Sequence, residues 1–297
     1  MKKLLLILSM TTILFAACDK DGAPKYQEPS NNNQANNPQL IFKLHFDSTL
    51  TRLDNFGNPS TVPTGNSAQS PRFNKMSAHY IEFAQGSTTQ LGQGEIVYKG
   101  IETTADGSNA VDFDQAIIKG QGEVFYSIPL SQVSAGTYKW LRVSLTYQNY
   151  DVKFLSGGID YIGTLASFVG FNNYITNYTI STQNIAVNGN KLQGYWGFET
   201  AGLTFEGQSP RTTVPNPIAN SSPITTGSCV VTGNFPTPIT ITRNETSDIT
   251  VNINLSTNNS FEWKDLNSDG FYEPSDGVNP GDTVVDMGLR GLFPTWQ

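Results

Sequence analysis

The stretch Asp265-Leu266-Asn267-Ser268-Asp269-Gly270-Phe271-Tyr272-Glu273-Pro274-Ser275-Asp276 has the most specific spacing for chemistry in this chain. Hard Ca²⁺ takes six to eight oxygens, arranged in loops of the form D-x-N-x-D-G with an acid at position twelve. Asp265, Asn267, Asp269 and Asp276 would give side-chain oxygens, Phe271 its carbonyl, and Glu273 a direct or water-bridged contact. Gly270 permits the sharp turn at position six. Asp276 is one methylene shorter than the usual Glu, and no helical pattern flanks the loop. The expectation is therefore a weak extracellular type of calcium loop, with a Kd of about 10⁻⁴–10⁻³ M. The same residue types also build an Asx-rich turn with no cation at all.

The chain has only two histidines, His45 and His79. Imidazole suits copper and zinc, and Met76 or Trp196 could complete a soft site around them. Each histidine falls in a strand-like run, so two unrelated strand histidines and a core tryptophan fit the same residues. For acid–base chemistry the candidates are Asp112, Asp114, Glu123 and Glu199, although strand-face carboxylates are commonly solvated. Paired carboxylates of a glycan hydrolase are set by distance in space, which sequence does not give. No G-x-S-x-G elbow and no phosphate-binding glycine loop is present. Cys229, in Ser228-Cys229-Val230-Val231, reads as a small buried hydrophobe. These residues favour a non-catalytic protein.

Composition bounds the class. Of 297 residues only 14% are charged, with 27 Gly, 16 Pro and a formal net charge of −7. An acidic chain this poor in Lys and Arg cannot neutralise phosphates over a broad face, which argues against nucleic acid. Residues 1–17 have a positive start at Lys2 and Lys3, then an apolar run from Leu4 to Phe15 too short for a permanent span. Ala16 and Ala17 precede Cys18, and the segment resembles the lipobox of bacterial lipoproteins, with Phe15 where Leu is usual. That resemblance implies cleavage before Cys18 and acylation of Cys18 by palmitate-type chains, a membrane anchor. Residues 18–39 are rich in Asn, Gln and Pro and read as a disordered tether. Asp19 and Asp21 resemble export signals of surface lipoproteins, which places the expected address at the outer membrane, facing out.

The elements that must carry any site are strands. From residue 40 the apolar period is two: Leu40, Phe42, Leu44 and Phe46 share a face, with Lys43 and His45 opposite. Leu141, Val143, Leu145 and Tyr147 are expected inward together, as are Ile249, Val251, Ile253 and Leu255. His79 is expected on the face of Ile81 and Phe83. Asn188-Gly189 reads as a tight hairpin turn between two runs. Long loops are expected at 56–74 and 200–227. Short strands at this spacing, broken by Gly, Asn and Pro, predict an all-β antiparallel sandwich, immunoglobulin-like or jelly-roll-like, as one domain over 40–297.

Four segments together carry a family resemblance. They are the opening strand with Phe46-Asp47 and the Ser77–Phe83 strand; Ile128-Pro129-Leu130 with Ala135-Gly136-Thr137-Tyr138; Gly194-Tyr195-Trp196-Gly197-Phe198-Glu199; and Thr240–Phe261. Their order over residues 40–263 resembles the MbnP-like β-sandwich family. In that family copper is held by histidines and a modified tryptophan, so the resemblance implies copper at His45, His79 and Trp196. Two functions follow as expectations: an anchored, non-catalytic surface binding module, or a metal-handling protein of the MbnP-like type. A glycan hydrolase is the weaker third.

Overall fold

Burial alternates along the first strand, β1 (Gln39–Asp47), with Leu40, Phe42 and Leu44 inside. The computed structural model describes residues 37–210, 214–221, 229–275 and 280–297. Cys18, the leader, the tether up to residue 36 and Asp276 lie outside the described residues. Strands dominate what is described, and the helices there are two short 3-10 turns, Phe113–Gln115 and Leu130–Gln132. The expected all-β sandwich is the fold.

β1 sits in a four-stranded sheet between β7 (Val124–Pro129) and β15 (Ile249–Ser256), with β18 (Leu292–Trp296) at the edge. The β1–β15 pair is parallel, which joins the beginning of the domain to its end. Against this sheet packs a seven-stranded one ordered β13 (Leu203–Gln208), β12 (Tyr195–Thr200), β9 (Ile159–Phe168), β8 (Gly136–Ser156), β3 (Arg72–Ala84) and β4 (Glu95–Lys99). Its seventh strand, β14 (Val230–Ile241), pairs with the first half of β8. Phe42 meets Phe83 across the interface at 5.8 Å between ring centroids. Two smaller sheets complete the fold. One consists of β11 (Asn184–Lys191), β10 (Asn173–Thr179), β6 (Ala110–Asp112) and β5 (Glu102–Thr103). The other consists of β17 (Thr283–Met287), β16 (Phe261–Lys264) and β2 (Asn66–Gln69).

The large sheet buries both faces. Leu141, Val143 and Leu145 enter the main core, whereas Tyr147 enters a second core with Phe113, Phe168 and Tyr178 under the β10–β11 sheet. The expected common face for Leu145 and Tyr147 is thus corrected. Ala78 and Ser77 of β3 pair with Leu145 and Tyr147, so Thr146 is an extra residue on β8. A bulge of this kind flips the alternation after it. From there on Tyr150 and Val152 face the main core.

Two further expectations change. Asn188-Gly189 is not the hairpin turn: both residues lie inside β11, and Asn188 has φ +52° where the register with β10 slips. Asn followed by Gly supplies the left-handed geometry that a bulge and a tight turn both need. The loop expected at 200–227 begins instead with an edge strand, β13, folded back on β12. In the 56–74 stretch, residues 66–69 form β2 and β3 starts at Arg72.

Candidate functional site: an aromatic cleft

Beyond the Thr146 bulge, β8, β9, β12 and β13 lay successive rows of side chains on one face. One row reads Tyr150, Leu165, Phe198, Phe205, and the next Gln148, Ser167, Trp196, Gly207. Phe154 and Tyr161 pair at the outer end, with rings stacked at 5.5 Å. Phe198 bridges Phe154 at 5.7 Å and Phe205 at 6.5 Å, so the rings form one wall. The facing wall comes from Phe261 of β16, from Val284 and Met287 of β17, and from Tyr272 and Pro274 of the acidic loop. Between them lies a cleft of about 580 Å³, lined mainly by carbon. Volumes of this size and lining suit a small organic ligand.

Glycines seat the wall. A Cβ on Gly163 would lie 2.0 Å from the Phe198 ring, and one on Gly207 2.4 Å from the Trp196 ring. Both rings therefore lie flat over a neighbouring strand where any side chain would collide. Phe205 is 51% exposed and Leu203 61%, so the β12–β13 edge of the wall faces water. Large apolar groups left exposed together beside a cleft are the informative kind of exposure.

The acidic loop forms part of this rim. Asp265 accepts from Ser67 Oγ, from the Ser268 N–H at 2.7 Å and from the Gly270 N–H at 2.8 Å. The Asn267 amide nitrogen stands between Asp269 Oδ2 at 3.0 Å and Glu273 Oε2 at 2.8 Å. Asp282, which the motif does not include, accepts from the Leu266 and Glu273 N–H groups and clamps the loop. Phe271 donates its N–H to Asp269. The side chains of Asp265, Asn267, Asp269 and Glu273 are thus tied into one turn by protein hydrogen bonds.

The histidines are not brought together. His45 on β1 contacts Asn252 Oδ1 at 3.2 Å and Gln121 Nε2 at 3.4 Å. His79 on β3 is buried, bonds Glu102 at 2.7 Å and stacks on Phe171 at 4.9 Å. It is not aligned with Ile81 and Phe83, because the β3 register slips between Ala78 and Tyr80 and leaves His79 as the extra residue. Trp196 lies on a third strand, β12, in the cleft wall. Met76 is in the main core. Among the described residues no group of three His, Cys, Asp or Glu side chains converges as a metal site would.

The four carboxylates serve local turns or solvent. Asp112 accepts from Gln115, Glu123 from the Gly120 N–H, and Asp114 is exposed. Glu199 is buried and collects the N–H groups of Ser181, Thr182 and Gln183 at the β10–β11 turn. Burial alone would raise its pKa, but the Thr182 hydroxyl and those N–H groups hold it below the ordinary value. Cys229 is half-buried, not fully buried as expected, and lines a second pocket with His79, Tyr80 and Phe171. Sequence reasoning missed the cleft, since Phe154, Tyr161, Phe198 and Phe205 alternate as core residues do. Comparison with family models, curated proteins and solved structures finds no match.

Proposed function

We propose that this chain is a membrane-anchored, non-catalytic binding module whose ligand is a small apolar molecule held in the aromatic cleft. The observation that carries the reading is the ring wall Phe154–Phe198–Phe205 facing Phe261 and Tyr272 across about 580 Å³. An apolar slot of this size gains affinity by removing ligand surface from water, at roughly 25 cal/mol per Å² before the costs of association. The Cys18 segment supports an anchor that holds the cleft at the outer membrane. The carboxylates offered for glycan cleavage stand away from the cleft lining, which favours binding over turnover.

The test is a titration with N-phenyl-1-naphthylamine, an uncharged dye that brightens in apolar surroundings. Wild type should give saturable fluorescence of one dye per chain, and Phe205→Ser should weaken it about tenfold or more by deleting an exposed ring. No saturable signal, or equal binding by wild type and variant, would remove the reading.

A further inference from the structure

The face of β3 and β8 turned away from the main core carries a second site. Between Ala78 and Tyr80 the register of β3 on β8 slips, and His79 is the extra residue. Ala78 and its partner Leu145 point into the main core, whereas Tyr80 pairs with Ser144 on the other face. His79 and Tyr80 therefore both stand opposite Ser144, and all three line one pocket of about 580 Å³. Bulges re-aim a side chain in this way and are over-represented beside active sites. None of these three residues lines the aromatic cleft.

The imidazole is held ready for a proton. His79 is 7% exposed, stacks on Phe171 at 4.9 Å and bonds Glu102 Oε1 through Nε2 at 2.7 Å. Asn109 at 2.8 Å and Lys99 at 3.0 Å fix Glu102 in turn and help to keep it a carboxylate. Burial lowers the His79 pKa, so the ring is neutral at pH 7. A carboxylate only accepts, so Nε2 carries the single ring proton and Nδ1 is a bare acceptor. Among the described residues, neither Nδ1 nor the Ser144 hydroxyl takes part in a hydrogen bond, although Ser144 is only 5% exposed. A buried hydroxyl is normally bonded to protein, water or ligand, so one left unpaired on a pocket wall points to an occupant. A Cβ on Gly170 would lie 1.4 Å from the Leu145 carbonyl oxygen, so glycine lets that pocket loop come down on β8 beside Ser144.

We propose that Ser144 is an acyl-accepting nucleophile, with His79 as its base and Glu102 as the group that orients the imidazole. The reactant class is a small uncharged ester. Among the described residues no carboxylate, lysine or arginine lines the pocket, and Phe171, Leu192 and Pro210 supply carbon surface. Ser144 Oγ attacks the acyl carbon, and His79 Nδ1 takes the hydroxyl proton and delivers it to the departing alkoxide. Ester and serine thus give an acyl-serine and an alcohol. The bond between base and nucleophile need not be formed beforehand, because such bonds often tighten only when the reactant is bound. The product is a covalently held acyl group, so this is a second binding site that goes beyond the cleft and does not depend on it.

p-Nitrophenyl butyrate tests this on the full chain, in wild type, Ser144→Ala, His79→Gln and Glu102→Gln, each checked for native circular dichroism. Wild type should release a burst of one p-nitrophenolate per chain, and peptide mass spectrometry should place the butyryl group on Ser144. Ser144→Ala should lose the burst. His79→Gln should slow it about a hundredfold or more, and Glu102→Gln about tenfold or more. The wild-type rate should fall as pH drops below 6.5 and the base takes up a proton. Around that ring the charged groups are Glu102 and Lys99, with the Arg142–Glu82 pair further along the same strands, and Tyr80 and Cys229 are the other titratable groups on the pocket wall. The pH profile decides the matter if His79→Gln does not fold. No burst, a butyryl group on Tyr80 or Cys229, an unchanged rate in folded His79→Gln, or equal rates at pH 8 and pH 5 would overturn the proposal.

Discussion

Glu102 shows how a single side chain ties stability to pH. Burial alone would raise its pKa, yet hydrogen bonds from Asn109, His79 and Lys99, with the Lys99 charge, bring it to about 2. A carboxylate with a depressed folded pKa stabilises above its unfolded value and loses that stability as pH falls toward the folded one. The Glu102 contribution is therefore present at neutral pH and disappears between about 4.5 and about 2. His79 acts in the same direction: burial lowers its pKa below 6.5, so stability also falls as pH drops through the ordinary histidine range. Urea denaturation at stepped pH should show wild type weakening from pH 7 to 4, and Glu102→Gln should weaken less steeply below about 4.5. Parallel curves for the two proteins would contradict this. Little of it was legible in sequence, since Glu102 is 23 residues from His79 and the antiparallel pairing of β3 with β4 brings them together.

At the scale of elements, alternation revealed the strands but not where alternation breaks. Leu141, Val143 and Leu145 face the main core as their spacing expects, and the single extra residue Thr146 then sends Tyr147 to the opposite face. The same bulge turns Val152 and Phe154 onto the cleft face, so one residue of register decides which side chains can meet a ligand. Sequence carries no period for a bulge of this kind. The acidic loop was legible from its motif, while its clamp Asp282 was not, being 16 residues from Leu266. Asp265 accepts one hydroxyl and two N–H groups, so Asp265→Ala should cost about 1–3 kcal/mol in chemical denaturation. The calcium reading of residues 265–276 expects melting at a higher temperature in millimolar calcium than in chelator, a shift that Asp269→Ala removes. Equal melting in both leaves the loop as an Asx-rich turn that braces the rim through Tyr272 and Pro274.

For the whole molecule, two sheets share the main core, and the large sheet extends past the smaller one at its β9–β12–β13 end. That overhang is covered on one face by the β10–β11 sheet and on the other only partly, by β16, β17 and the acidic loop. The incompletely covered face is the cleft. An all-β sandwich was readable from period and composition, but an overhang depends on which strands neighbour which, and pairing between strands as distant as β1 and β15 leaves no local signal. The central claim is that this face holds the ligand. Amide chemical shifts of ¹⁵N-labelled protein titrated with N-phenyl-1-naphthylamine test it most directly. Saturable shifts concentrated over residues 152–165, 196–207 and 272–275 are the predicted result. Shifts centred instead on the pocket of His79 and Cys229, or none that saturate, would contradict it.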